Sequence, residues 1–423
     1  MSGVRDMTSY PYFATAEDYG CGNGTSLDTY TSHRLVFFTK KSGTWVEITV
    51  DSRVNDSDYD WRSVCVANNG PLFCILTLDS IYGWTTYTSS NEGATWTRNV
   101  VSWPAGTDWT ATYTFILSFA GGFGVSLNGQ GWLSSPDGKT WVLNEYTWSA
   151  YSLYTDDIEW CYVDIYGTVH MTMYDENYHV WYSSSNDLAR WAEPVEIIST
   201  MTYPTEGMCL VGRGDIILVA SMNWDDYTID LSLSINAGKT WEETSINLSA
   251  ICGAGGFNTW VITHRLSLLG GIKNGSAYLF FSWFNEDLPT TETWTLRGIK
   301  AENIALGELS WVQIFNAWPT QAWWFATSAS DPAGNNMWPI FGGYSWSEQR
   351  IDGHIYDTYV RTFVEMDTDT GLLTDIYSLV GTTGDYVMYW LLQNYSPSSR
   401  IPSGWFVANC YREFSRGGFA YFF

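Results

Sequence analysis

The sequence is poor in charge: Asp, Glu, Lys and Arg make up only 15% of its 423 residues, and Lys and Arg supply just 20 of them. Leu, Ala, Glu and Lys are too sparse for a helical protein. No apolar run approaches the ~20 residues of a membrane-spanning helix. The first residues, Met1-Ser-Gly-Val-Arg-Asp-Met-Thr8, lack the charged-then-apolar layout of a signal peptide. The expectation is a chain made in a cytoplasm that neither inserts in a membrane nor leaves by the ordinary secretory route. The five histidines, His33, His170, His179, His264 and His354, are scattered, which argues against a histidine metal site. Seven cysteines (Cys21, Cys65, Cys74, Cys161, Cys209, Cys252 and Cys410) show no metal-ligand spacing. Cys65, Cys74 and Cys161 sit in apolar runs, so free, buried thiols are expected. No Gly-rich phosphate loop leads from a strand into a helix.

The shortage of basic residues leaves a formal net charge of −25. Phosphate backbones and anionic lipid would repel such a chain, so nucleic acid and membrane surfaces are excluded as partners. The acidity serves solubility, or it marks acidic loops that bind a neutral sugar or a cation. What is abundant is aromatic: 17% of residues, with 25 Trp and 28 Tyr, beside 38 Gly. Rings and β-branched side chains suit pleated, half-buried surface, and Gly, Asn, Asp and Ser supply turns. Many short strands are expected.

A repeat organises them. Ser89-Ser-Asn-Glu-Gly-Ala-Thr-Trp96 recurs as Ser134-Ser-Pro-Asp-Gly-Lys-Thr-Trp141, Ser184-Ser-Asn-Asp-Leu-Ala-Arg-Trp191 and Ser234-Ile-Asn-Ala-Gly-Lys-Thr-Trp241. A shortened copy, Thr39-Lys-Lys-Ser-Gly-Thr-Trp45, precedes them, and a worn one ending Thr290-Thr-Glu-Thr-Trp294 follows. Successive tryptophans lie 45 to 53 residues apart, the length of one four-stranded propeller blade. Around the second copy, Ser63–Ala67, Leu72–Leu76, Trp84–Tyr87 and Thr95–Arg98 read as its four strands, with Asn69-Gly70 as the first hairpin turn.

These octapeptides resemble the Asp-box, Ser-x-Asp-x-Gly-x-Thr-Trp, of sialidase-like (BNR-repeat) β-propellers. The resemblance implies that each is the turn between a blade's third and fourth strands, on the face opposite the active site. Asn91, Asn186 and Asn236 stand for the Asp, and Pro136 occupies that place in another copy. The tryptophans Trp96, Trp141, Trp191 and Trp241 should be largely buried between blades. A further blade is read from about Ala326 to Ile376, with Asp367-Thr-Asp-Thr-Gly371 as a relic of the turn. His33–Phe38 and Trp45–Thr49 supply only two strands, and the C-terminal strands Val387–Leu391 and Trp405–Asn409 have no turn of their own. Joining them closes the ring. The expectation is one all-β domain over 1–423, a propeller of seven four-stranded antiparallel blades, with six as the alternative.

The opposite face would then carry aromatic, acidic loops. Its candidate ligand-binding residues are Trp103, Asp108, Trp109, Trp224, Asp225, Asp226, Trp323, Trp324 and Arg350. Carboxylates and Arg bond sugar hydroxyls while flat rings stack on C–H faces, so a glycan or glycoprotein receptor is the expected partner. Packing between blades is the alternative use of each tryptophan. Sialidase chemistry would need three arginines converging on a carboxylate, above a Tyr–Glu pair and an Asp acid/base. Arg265, Arg350, Arg400 (in Arg400-Ile-Pro402) and Arg412 are the candidates; the Tyr–Glu pair is not identifiable. No cofactor is expected. The Asp56, Asp58, Asp60 ladder has calcium-like spacing, but it lacks the Gly and closing Glu of a calcium loop. The composition is that of phage tail and fibre proteins, so the first reading is a glycan-binding adhesin or virion-surface component, alone or with other virion subunits. An exo-glycosidase and a purely structural propeller are the alternatives.

Overall fold

The computed structural model describes residues 12–21, 30–54, 61–79, 82–107, 116–127, 130–146, 153–154, 160–164, 166–177, 179–199, 208–223, 228–247, 250, 268–285, 293–304, 309–317, 322–330, 337–351, 354–366, 373–384, 398–399 and 406–407. Their strands form seven sheets of a β-propeller. Sheet I holds Tyr12–Cys21, Tyr30–Thr39 and Val46–Val54. Sheet II follows with Trp61–Asn69, Leu72–Asp79, Gly83–Ser89 and Thr97–Val100. Sheet III comprises Ile116–Phe119, Gly122–Leu127, Gly131–Ser135 and Val142–Glu145. Sheet IV comprises Trp160–Val163, Val169–Asp175, Val180–Ser185 and Val195–Ile198, with Leu153–Tyr154 added to it. Sheets V, VI and VII begin at Met208, Leu268 and Ala322 and run antiparallel in chain order. Among the described residues no helix is long and apolar enough to cross a membrane.

Sheet II packs on sheet I at one face and on sheet III at the other, so its inner strands are apolar on both faces. In Leu72–Asp79, Phe73 and Ile75 face sheet I while Cys74 and Leu76 face sheet III. Val64 and Val66 divide from Cys65 and Ala67 in the same way. Side chains on a strand alternate between faces, and here that alternation sends successive residues into two different seams. Cys65, Cys74, Cys161 and Cys209 are free and buried, as the sequence predicts. Outer strands such as Thr97–Val100 have one neighbour and remain largely exposed.

The repeated turns close the third and fourth strands of sheets II to V, and they come in two lengths. In the turns of sheets II and V, Ser89 and Ser234 accept the Gly93 and Gly238 N–H four residues on, each at 2.9 Å. Asn91 and Asn236 accept from the Thr95 and Thr240 N–H. In sheets III and IV the turn is one residue shorter. Ser135 and Ser185 accept from Gly138 and Leu188 three residues on, at 2.8 and 2.9 Å. Asp137 and Asp187 hold the following N–H groups. The residues in the Asp role are therefore Asp137 and Asp187, not Pro136 and Asn186; the doubled serine lets the turn slip by one. Burial raises these two carboxyls, but the backbone N–H groups outweigh it and hold them below the usual carboxylate range.

What the turns do is wedge against the preceding sheet. Gly93 lies on Phe37, Gly138 on Cys74 and Thr88, and Gly238 on Tyr182, each too close for a Cβ. All three have positive φ, where glycine costs least. Sheet IV reverses the fit. Leu188 takes the glycine's place at φ 63, buried, and the space for it comes from Gly124 of sheet III. The tryptophans follow the same rule: Trp96 packs on Phe37 at 5.1 Å between ring centres, Trp191 on Trp132 at 5.8 Å, and Trp241 on Tyr182 at 4.8 Å. Of the four, Trp141 is fully buried and the others are half-buried at the seam's rim, less than the sequence predicts.

Two expectations are corrected. Trp294 lies in the third strand of sheet VI, Thr293–Ala301, rather than after it. The turn of that sheet is at Ile304, whose N–H bonds Gly275 O as Glu92 bonds Pro71 O and Ala237 bonds Asp215 O. Closure also differs. Tyr12–Cys21 supplies sheet I with a third strand, and its Tyr12 hydroxyl donates to Asn68 of sheet II at 2.9 Å. The described C-terminal strands pair elsewhere, Ser398–Ser399 beside Trp61–Asn69 and Phe406–Val407 beside Ala322–Ser330. A strand at the N-terminus that the sequence reading overlooked takes a place assigned to the C-terminus.

The wedge predicts a non-additive pair. A methyl on Gly124 would stand 2.5 Å from Leu188 Cδ1, so Gly124→Ala should cost about 1–3 kcal/mol. Leu188→Gly should cost about 1–3 kcal/mol, cavity formation outweighing relief of the backbone. In chemical unfolding, Gly124→Ala should cost clearly less once Leu188 is Gly, leaving its fit against Leu117 Cδ1 at 3.0 Å; additive costs would contradict the packing.

Candidate functional site

First hairpins and repeated turns share one end of each sheet, as the Glu92–Pro71 and Ala237–Asp215 bonds require. The hairpins between second and third strands lie at the other end. The second strand there closes on a polar side chain: Asp79, Asp175, Asn223 and Asn285 end the second strands of sheets II, IV, V and VI, and Leu127 ends that of sheet III. Asp79 Oδ1 accepts the Tyr82 N–H at 3.1 Å. Asp175 Oδ1 accepts those of Asn177 at 2.9 Å and His179 at 3.0 Å. These carboxylates tie off the hairpin by bonding its free N–H groups, which is what Asx residues do in turns.

In sheet II the cap also builds a charged cluster on the seam with sheet I. Arg53, at the end of Val46–Val54, grips Asp79 with both guanidinium nitrogens, Nη1 to Oδ1 at 3.2 Å and Nη2 to Oδ2 at 2.5 Å. The Asp79 side chain is wholly buried and that of Arg53 is 13% exposed. Burial opposes the Arg53 charge, but the hydrogen bond and charge of Asp79 more than restore it and raise its pKa. Beside them Tyr82 is 45% exposed. The Arg98 guanidinium lies 4.5 Å from its ring centre and that of Arg53 5.7 Å. Asp51 completes the group and accepts the Tyr87 hydroxyl at 2.8 Å.

Sheet IV repeats the plan with other residues. Asp175 Oδ2 accepts Trp181 Nε1 at 3.2 Å and lies 3.2 Å from His179 Nδ1, with Glu196 at 4.0 Å from the same nitrogen. Burial raises the Asp175 carboxyl, and the His179, Trp181 and Asn177 donors lower it further than that, below the usual range. Both clusters gather an aromatic ring and a basic side chain around a carboxylate, wholly buried in sheet II and 13% exposed in sheet IV. Among the described residues no group of three or more His, Cys, Asp or Glu could hold a metal ion.

One arrangement resembles an acid–base chain without being accessible. His170 Nδ1 lies 2.6 Å from the Tyr182 hydroxyl, and its Nε2 lies 3.5 Å from Asp164 Oδ2. All three residues are buried; the His170 ring stacks on Tyr162 and Tyr182, and Gly238 of sheet V lies on Tyr182. Burial drives the Tyr182 hydroxyl pKa upward. Lying at the first-hairpin end and closed to solvent, the chain works as packing between sheets IV and V.

Of the residues the sequence singles out, Trp103 has a described side chain. Its Nε1 donates to Trp84 O at 3.1 Å and its ring leans on Trp141 at 5.5 Å, so it is engaged in the seam between sheets II and III. Trp323 and Trp324 start the first strand of sheet VII, on the expected end. Arg350 ends the second strand of that sheet, six residues beyond Tyr344, the partner of Ala322. At ~3.3 Å per residue it stands roughly 20 Å out along a projecting hairpin, away from Trp323. Asp108, Trp109, Trp224, Asp225, Asp226, Arg265, Arg400, Arg412 and the Asp56, Asp58, Asp60 ladder lie outside the described residues. Sequence reasoning missed Asp79, Tyr82, Asp175 and His179. The signal was present as Asp or Asn recurring where a second strand ends, 48 residues apart at Asp175 and Asn223.

No family model matches the chain, and no curated protein does. Solved structures do. The WD40 domain of SCAP from fission yeast is 10% identical, covering 95% of this chain and 97% of its own, with a TM-score of 0.45. A 6-phosphogluconolactonase described as putative, from Bacteroides uniformis, is 11% identical over 89% of this chain and 100% of its own, at 0.43. The GH74 xyloglucanase from Xanthomonas campestris is 12% identical over 84% and 72%, at 0.35.

Removing Arg53 takes the bidentate cation from the buried Asp79 carboxylate. Arg53→Ala should cost about 3–5 kcal/mol in equilibrium unfolding, and Arg53→Ala combined with Asp79→Asn, which keeps an acceptor for the Tyr82 N–H, should recover much of it. No recovery would show that the cost lies in packing rather than charge.

Proposed function

We propose that the chain is a glycan-recognising propeller of sialidase-like Asp-box kinship. On this reading it works as an adhesin or virion-surface binding component through the face opposite its repeated turns. The observation that carries the proposal is the pair of hairpins in sheets II and IV, each of which sets an aromatic ring beside a carboxylate and a basic side chain at that end. Sugar rings need that combination, a flat apolar surface for C–H faces and fixed polar groups for hydroxyls. The aromatic, acidic segments around Trp109, Trp224 and Trp323 belong to the same face on this reading and extend the surface. The packing of the turn glycines against the preceding sheets favours the opposite face over the repeated turns.

The test is glycan-array screening followed by calorimetric titration. Binding per site should be weak and should strengthen when several copies are displayed together. Trp109→Ala and Trp224→Ala should each reduce binding with little change in melting temperature. Incubation with sialosides should release no free sugar; turnover lost on changing Arg350 or Arg412 would replace the binding reading with an exo-glycosidase. No glycan bound, with these loops packed on a partner chain, would leave a structural propeller.

A further inference from the structure

Arg98 is unusual in a chain with 45 acidic residues and 20 basic ones. It is exposed on the outer strand of sheet II, and among the described residues it has no carboxylate partner. Its one recorded side-chain contact is the Tyr82 ring, 4.5 Å away. Most surface arginines of so acidic a protein would be expected to find an ion pair, since acidic neighbours outnumber basic ones. Here the guanidinium rests on a ring instead, and a ring engages its flat face while leaving the N–H edge for another acceptor. Arg53 lies on the same ring at 5.7 Å, fixed by buried Asp79. The ring itself is fixed at its backbone, where the Tyr82 N–H is bonded to Asp79. The cluster therefore sets a cation and an exposed aromatic side by side, Tyr82 in the hairpin at the end assigned above to glycan binding and Arg98 reaching its ring from the outer strand, where it pairs with Tyr87.

We propose that Tyr82 and Arg98 form a subsite for an acidic sugar, with Arg98 bonding the carboxylate of a uronate residue through its free N–H edge and the part of the Tyr82 ring that the guanidinium groups leave exposed packing on its C–H groups. This rests on the glycan-binding reading and narrows it to one ligand chemistry at one seam. The overall charge of −25 selects against long polyanions, so the subsite suits a short oligosaccharide in which one uronate carboxylate reaches Arg98. Arg53 helps through its positive charge while its donors hold Asp79. The subsite owes nothing to the arginines expected from the sialidase resemblance, Arg265, Arg350, Arg400 and Arg412.

The experiment is calorimetric titration of the full chain with trigalacturonate and, separately, with neutral galactotriose. The wild type should prefer trigalacturonate about five- to tenfold, the usual worth of one charge-assisted bond at a surface. Arg98→Gln should abolish the preference with the melting temperature unchanged, and Arg98→Lys should keep part of it. Tyr82→Ala should weaken both ligands. Arg190→Gln, an exposed arginine on a repeated turn, should alter neither. Equal binding of the two sugars, or a preference that survives Arg98→Gln, would overturn the subsite while leaving the glycan-binding face in place. Binding of neither sugar here, nor of any glycan on an array, would overturn both.

Discussion

A sheet with two apolar faces cannot stand alone in water, and the contact that lets these sheets stand together is the turn of one wedged onto the strands of the one before. Ser89, Ser135, Ser185 and Ser234 hold the turn backbone from inside. That leaves a glycine, or in sheet IV Leu188, to press on the neighbour. Because interiors are packed to crystal-like density, the fit is specific at each seam. A glycine meets Phe37, Cys74 or Tyr182, whereas the leucine meets Gly124. Volume is conserved across the seam although the residues on either side exchange sizes.

That commitment divides the molecule into two ends with different duties. At the turn end, the turn serines and carboxylates are bonded within the fold, and a chain as suggestive as Asp164, His170 and Tyr182 is buried. At the other end the hairpins of sheets II and IV are each tied by one strand-terminal carboxylate, and side chains around it, Tyr82 and His179, remain partly exposed. Asp79 illustrates the coupling. Its backbone-facing oxygen shapes the Tyr82 turn, while both oxygens hold Arg53 from the neighbouring sheet. Seam and surface are thus built by the same carboxylate.

The sequence makes the repeat legible because a turn of this kind needs rare residues at fixed places: a serine to bond the loop, a glycine at positive φ and a tryptophan at the rim. It fails where the chemistry is degenerate. Doubled serines in Ser134-Ser135 and Ser184-Ser185 hide a one-residue slip, so Asp137 and Asp187 are misread until their bonds are seen. Trp294 copies the spacing of the motif without its place, and Ile304 holds the place without any of its residues. Tyr12–Cys21 carries Glu17, Asp18 and Gly20 within a strand, and its burial at Tyr12 and Ala14 comes from packing on sheet II rather than from a local signal. On the opposite face the aromatic and acidic composition of the loops was legible. Which ring serves the fold, as Trp103 does, and which stays exposed, as Tyr82 does, depends on neighbours brought in from other sheets.

The account stands on the division between a structural end and a binding end, and hydrogen exchange with and without a bound glycan measures both at once. The amides of Gly93, Gly138, Leu188 and Gly238 should exchange as slowly as the inner strands and be indifferent to the sugar, because opening them requires the sheets to separate. Protection gained on binding should fall in the hairpins around Tyr82 and His179. Fast exchange at the four turn amides, or glycan protection appearing there instead, would contradict the account.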